Sequence, residues 1–80
     1  MNNIILRLPA VKNRYGCSRS TLYLRISEGL WTKPVNLGAR AVGWPANEVD
    51  AIIAARIAGK SEDEIRALVQ QLEAARKNLR

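Results

Sequence analysis

Two periods run through the apolar residues of this chain. Val49, Ile52, Ile53 and Ile57, and later Ile65, Leu68, Val69, Leu72, Ala75 and Leu79, recur at helical spacing. That spacing predicts two amphipathic helices. The first runs from Ala46 or Asn47 to Ala58, between Trp44-Pro45 and Gly59. The second opens at Ser61, which forms a capping-box pattern with Glu64, and runs to about Asn78. Glu62 and Asp63 suit the positive end of its dipole. Between Lys33 and Trp44 the pattern becomes β-tolerant. Lys33 to Leu37 and Ala41 to Trp44 read as a hairpin around a three-residue loop, Gly38-Ala39-Arg40, with Pro34 on an edge strand. Val35, Leu37, Val42 and Trp44 are its expected inward residues, with Trp31 closing the cluster. Ile4 to Leu8 alternates imperfectly and predicts a short strand or a docking arm.

Upstream of the hairpin lie two shorter helical segments. Ala10 to Tyr15 stops at Gly16, with Pro9 suited to the first helical position and Val11 and Tyr15 one turn apart. The next is closed at both ends: Ser18 is an N-cap, and Gly29 enters the left-handed conformation without a Cβ penalty. Both helices are too short to be stable without packing. At about 100° per residue, Leu22 and Ile26 share the core side of the second helix. Ser20, Leu24 and Ser27 then lie opposite, Tyr23 and Glu28 at the edges, and Thr21 and Arg25 flank the core. Two short helices joined by a Gly-containing turn make a helix-turn-helix, whose second helix can enter a DNA major groove. The hairpin behind it is then a wing.

Charge strengthens that reading. The chain has 80 residues and a net charge of +6, enough for one domain with its own core. From Met1 to Pro45 there are seven basic residues (Arg7, Lys12, Arg14, Arg19, Arg25, Lys33, Arg40) and one acid, Glu28, whereas from Ala46 onward acids and bases balance. The entire excess therefore sits in the half that holds the helix-turn-helix and wing, as a polyanion-binding surface requires. That half has no long amphipathic helix to lie on an acidic membrane. No apolar run approaches a membrane span, and Pro9, Arg7 and Lys12 interrupt any signal-peptide core. A soluble cytoplasmic protein is expected.

Catalysis finds little support. There is no His, and Cys17 is the single cysteine, so a disulfide within the chain, a Cys/His zinc site and a His-activated nucleophile are all excluded. No Gly-rich phosphate loop appears. Cys17 reads as a small buried residue in the turn. No enzyme activity, cofactor, metal or small-molecule substrate is expected.

Within the second helix, Arg19 stands in the first turn, where a phosphate is also favoured. Leu24 is either a partly covered or scattered surface leucine, or an apolar contact to a thymine methyl group. Tyr23 either closes the core edge or bonds a phosphate through its hydroxyl. Arg40 is either a solvated turn residue or a minor-groove or backbone contact at the wing tip.

The stretch RLPAVKNRYGCSRSTLYLRISEGLWTKPVNLGARAVGWPANEVDAIIAARI, from Arg7 to Ile57, carries the words SRSTLY, KPVNLGARAVGW and NEVDAII. In order and spacing it resembles the AlpA family of prophage regulatory proteins. The resemblance implies a MerR-like, winged helix-turn-helix fold related to excisionases, in small DNA-binding regulators that act on integrase expression or help excision directly. It places Ser18, Arg19, Ser20, Thr21 and Tyr23 on the recognition helix and Lys33 and Arg40 on the wing. Where the family wording is Tyr-Arg-Leu-Ile, this chain has Tyr23-Leu24-Arg25-Ile26, which turns the outward face from basic to apolar.

The expected protein is thus mainly α with a small β-hairpin: a winged helix-turn-helix over residues 1–59 and an extra amphipathic helix over 60–80, for packing or self-association. Its expected role is a sequence-specific regulator that binds double-stranded DNA through Ser18, Arg19, Ser20, Thr21, Tyr23, Leu24, Lys33 and Arg40. A homodimer or cooperative multimer through the last helix is the expected assembly. The alternatives are an architectural excisionase that bends attachment-site DNA, and an adaptor that works through the last helix.

Overall fold

The computed structural model describes residues 4–78. Strand β1 (Ile5–Leu6) leads into α1 (Leu8–Tyr15) and α2 (Arg19–Ser27). Strands β2 (Val35–Gly38) and β3 (Ala41–Pro45) follow, then α3 (Ala46–Ile57), α4 (Glu62–Ala75) and a 3-10 turn at Arg76–Asn78. The mainly helical architecture with a small antiparallel sheet is compatible with a winged helix-turn-helix, and α4 is the extra helix. Among the described residues no helix is long and apolar enough to cross a membrane.

The hairpin does not stand alone. The sheet has three strands in the order β1-β3-β2, with Ile5 opposite Pro45 and Leu6 opposite Trp44. The chain before α1 is therefore a strand, secured further by the Ala46 N–H donating to the Ile4 carbonyl at 2.7 Å. Gly43 sits beneath this crossing. A Cβ there would lie 3.0 Å from the Leu6 carbonyl oxygen and 3.1 Å from a Leu37 methyl, so only glycine lets Ile5 and Leu37 close over β3.

The loop is also tighter than its sequence implies. Gly38 pairs with Ala41, leaving Ala39-Arg40 as the turn, and the ladder is irregular between Asn36 and Gly38. Gly38 takes φ 107° and Ala39 φ 43°. Because Val35 pairs with Gly43, the neighbour of Trp44, the register puts Leu37 on the sheet face away from Trp44, with a methyl over Gly43, and it is 42% exposed rather than inward.

The core gathers Val11, Leu22, Leu30, Trp31, Trp44, Val49, Ile52, Ile65 and Val69. Trp31 lies deeper than a hairpin cover, with its ring 4.8 Å from that of Tyr15. Both long helices donate a stripe to this cluster, so Ile65 and Val69 are inside the chain's own core, with Leu68 and Leu72 packed against it. Two members of the predicted stripes are outside it: Ile57 is 82% exposed, and Ala75 is exposed at the end of α4. Periodicity chose the correct face in each helix, but the covering elements stop short of these ends. Leu79 lies outside the described residues.

Helix termini follow local chemistry closely. α1 starts at Leu8, earlier than Ala10, with Pro9 in its first turn, where no N–H is needed. At α4 the capping box is complete: the Ser61 Oγ accepts from the Glu64 N–H at 3.2 Å, and the Glu64 carboxylate accepts from the Ser61 N–H at 3.0 Å. The Ser61 backbone and then its hydroxyl hold the Glu64 carboxyl below its ordinary value of 4.5. A lowered folded value means the stabilisation is present above the unfolded value and is lost as pH falls through the folded one. Thermal melts of the wild type should therefore weaken in acid more than those of Glu64→Gln; identical acid slopes would refute the cap's role.

One pair was not legible in advance. Glu48, buried in the first turn of α3, receives two hydrogen bonds from Arg76, at 2.7 and 2.6 Å. The side chains are 3% and 21% exposed respectively. Arg76→Ala strands a carboxylate in the interior and should cost about 2–4 kcal/mol, whereas Glu48→Ala frees a guanidinium that can reach water and should cost less. Urea titration of both variants checks the asymmetry, and equal losses would contradict it.

Candidate nucleic-acid interface

The turn between α1 and α2 is built by backbone chemistry. Gly16 takes φ 75° and its N–H donates to the Lys12 carbonyl at 2.7 Å, closing α1. Cys17 packs against the core, where burial pushes its thiol up from the ordinary value, against smaller opposing effects of Lys12 and Arg25. Ser18 then starts α2. Its Oγ accepts from the Thr21 N–H at 3.2 Å and donates to the Thr21 hydroxyl at 3.0 Å. Two residues expected at a DNA surface are thus tied to each other as the helix cap.

The outward face of α2 is Arg19, Ser20, Tyr23, Leu24 and Ser27, all exposed. Leu22 is sealed on the opposite side and Ile26 is packed against the core, as the helical wheel requires. Leu24 is 53% exposed. Arg25 lies back against the core edge, 3.3 Å from Glu28. The helix is nine residues long, about 13 Å at 1.5 Å per residue, a length that fits across a major groove about 12 Å wide.

Tyr23 links this face to the wing. Its ring centre lies 6.5 Å from that of Trp44 in an edge arrangement, and the Arg19 guanidinium lies 5.6 Å from the Tyr23 ring centre. A shallow hollow of about 470 Å³ opens beside Arg19, Ser20 and Tyr23. Trp44, fully buried, donates its indole N–H to the Thr32 carbonyl at 2.9 Å. Helix α2, the connector after it and strand β3 therefore meet at one tryptophan. Lys33 belongs to the connector rather than to a strand, and Arg40 occupies the turn between β2 and β3.

The cations are not equivalent. Arg14 pairs with Asp50 at 3.0 Å, and Arg7 donates to the Val42 carbonyl at 3.1 Å. Among the described residues, Lys12, Arg19, Lys33 and Arg40 have no acidic partner within salt-bridge distance. Unpaired cations on a surface of one sign can neutralise phosphates without first breaking an ion pair.

The family model for the Prophage CP4-57 regulatory protein (AlpA) matches residues 4–57. The chain belongs to the AlpA family. The family is one of prophage regulatory proteins, and the match covers the two short helices, the sheet and α3, ending before α4. A protein of Enterobacteria phage P4, described as uncharacterized protein ORF88, is 46% identical over 55 residues, 69% of this chain. The alignment covers 62% of that relative, so the chain spans less than two thirds of its length. No solved structure matches the chain at a significant level.

Sequence reasoning missed the polar contacts that α4 makes with the connector, because their partners are remote in the chain. The Lys33 N–H donates to Glu73 at 2.8 Å, and Arg66 donates to the Glu28 carbonyl at 3.0 Å. No local pattern marks them.

Ser18→Ala removes the cap of a helix too short to form alone and should cost about 1 kcal/mol, with a larger loss of DNA affinity than of global stability. Denaturant melts and duplex titrations on one preparation compare the two. A variant with unchanged stability and affinity would show that the cap is dispensable.

Proposed function

We propose that this AlpA-family chain is a sequence-specific regulator that binds double-stranded DNA in a prophage or similar integrated element, acting on integrase expression or excision. The observation that supports it best is the outward face of α2. Arg19, Ser20, Tyr23, Leu24 and Ser27 are exposed on a helix whose other side is locked into the core, while Lys33 and Arg40 extend the same basic half.

The roles divide by chemistry. Ser20 and Leu24 face outward where base edges would lie, the serine as donor or acceptor and the leucine against a thymine methyl. Arg19, Lys33 and Arg40 contact phosphates, with Arg40 at the wing tip also able to follow the minor groove. Ser18 and Thr21 act through the cap. The Tyr23 ring holds the helix against Trp44, and its hydroxyl is the part left for a phosphate. The winged, MerR-like architecture implied by the family resemblance serves this division.

An architectural excisionase uses the same surface, and DNA bending without a transcriptional effect would favour it. An adaptor working through α4 needs that helix's apolar stripe free, yet Ile65 and Val69 lie in the core. Self-association through α4 would have to use its outer face. The regulator remains the better-supported reading.

DNA affinity should fall steeply with salt, by a slope of about 0.9 per phosphate neutralised. Arg40→Ala should weaken all sequences about equally and lower that slope by about 0.9, whereas Leu24→Ala should change base preference with little effect on the slope. Selection from a randomised duplex pool, followed by titration over a salt series, reads both. Salt-independent binding, or a Leu24→Ala variant with unaltered preference, would overturn the respective assignment.

A further inference from the structure

Between α2 and β2 the chain runs through Glu28 to Pro34, leaving α2 by a turn in which the Gly29 and Leu30 N–H groups donate to the Ile26 and Arg25 carbonyls and then continuing without helix or strand. Its two ends are held from one direction. At the first, the Arg66 Nε donates to the Glu28 carbonyl at 3.0 Å, and the arginine stem lies 3.7 Å from where a Gly29 side chain would begin. At the second, Lys33 is gripped at both of its backbone polar groups. Its N–H donates to the Glu73 carboxylate at 2.8 Å, and its carbonyl accepts from Arg76 at 2.7 Å. Arg76 is itself fixed by its two hydrogen bonds to buried Glu48.

We propose that α4 and the turn after it form part of the DNA-binding apparatus, with Arg66, Glu73 and Arg76 as positioning residues that set the connector and thereby the place where Lys33 meets a phosphate. The inference rests on the DNA-binding reading above and assigns a role to a segment beyond the family match, which ends at residue 57.

Three observations carry it beyond ordinary packing. The core needs only the apolar stripe of α4, whereas these contacts are polar and converge on backbone atoms of one short connector. A cavity of about 370 Å³ opens between the connector and α4, lined by Glu28, Lys33, Arg66 and Glu73, so these polar contacts lie outside the core cluster that Leu30 and Trp31 share with Ile65 and Val69. Finally, the residue held at both backbone groups is an exposed lysine with no acidic partner among the described residues. An untethered connector would have to become ordered when DNA binds, and that entropy loss opposes binding. The clamp removes the loss in advance and fixes the register between recognition helix and wing.

Glu73 is the residue to test, because Arg76→Ala would leave Glu48 buried without a partner and confound folding with binding. The full-length chain is titrated with a duplex that the wild type has selected from a randomised pool, over a salt series, with thermal melts of every variant. Glu73→Ala should stay folded, bind on the order of threefold to tenfold more weakly and lose about 0.9 from the salt slope, the signature of one phosphate contact. Glu73→Gln keeps an acceptor oxygen and should recover most of the loss. Lys33→Ala should reproduce the slope change, and adding Glu73→Ala to it should cost little more, because both remove the same contact. Wild-type affinity and slope in a folded Glu73→Ala, or losses that multiply in the double variant, would overturn the clamp. A wild-type chain that selects no duplex would overturn the DNA reading and this proposal with it.

Discussion

Trp44 is the joint on which the geometry depends. An indole N–H is a donor with no acceptor capacity, and burying it unpaired costs free energy that a small domain can ill spare. Here it reaches the carbonyl of Thr32 in the connector. The same ring makes an edge arrangement with that of Tyr23 from α2, and the Trp44 backbone pairs with Leu6 of β1. One side chain therefore couples the helix that faces outward, the segment that leaves it and the strand that carries the wing. Neither α1 nor α2 is long enough to hold its own shape, so α2 takes its orientation from this contact and from Leu22 beneath it, and α1 from Val11 in the core and the Tyr15 ring against Trp31.

The charge segregation becomes more specific in three dimensions. Seven basic residues in the first half look interchangeable as composition, but their surroundings sort them. Arg25 lies against the core edge near Glu28, and Arg14 is bridged to Asp50. An exposed bridge of that kind contributes little to stability and remains exchangeable for a phosphate. Among the described residues, the first-half cations without acidic partners are Arg7, which donates to the Val42 carbonyl, Lys12 on α1, Arg19 at the start of α2, Lys33 in the connector and Arg40 in the β2–β3 turn. The acids cluster instead at the start of α4, where they face their own helix dipole and Arg66.

Features legible in the sequence were those whose causes are local. Gly16, Ser18, Gly29 and the Ser61–Glu64 box each act within a few residues, and the structure places every one at the predicted terminus. The inward face of α2 was equally readable, because Leu22 and Ile26 stand one turn apart. What was not legible depends on remote partners. Ile57 continues the apolar stripe of α3, yet it lies outside the core and is exposed among the described residues. Leu37 alternates like an inward residue, but the pairing of Val35 with Gly43 puts it on the face away from Trp44, and a strand register is set by the partner strand. Glu48 looks like an ordinary first-turn acid, and only the fold brings Arg76 to it. The connector clamp belongs to the same class, since it joins residues about forty positions apart.

The exchange of Leu24 and Arg25 relative to the family wording shows how these levels combine. With the wording's order, the arginine would project from the outward face and the leucine would face the core edge. In this chain Leu24 is exposed and Arg25 turns back, with its Nε buried and its terminal nitrogen on Glu28. Nothing in the core calls for the exchange, because Leu22 and Ile26 already fill that side of the helix. Keeping an arginine at the core edge leaves a buried nitrogen without a partner, which is a cost rather than a gain. A change that stability does not favour, on the face left open to solvent, is most simply explained by what that face meets. An apolar surface distinguishes a thymine methyl from the polar edge of cytosine, whereas an arginine favours guanine. On the DNA-binding reading proposed above, the exchange would shift preference toward thymine, with Arg19, Lys33 and Arg40 left to supply the sequence-independent part of the affinity.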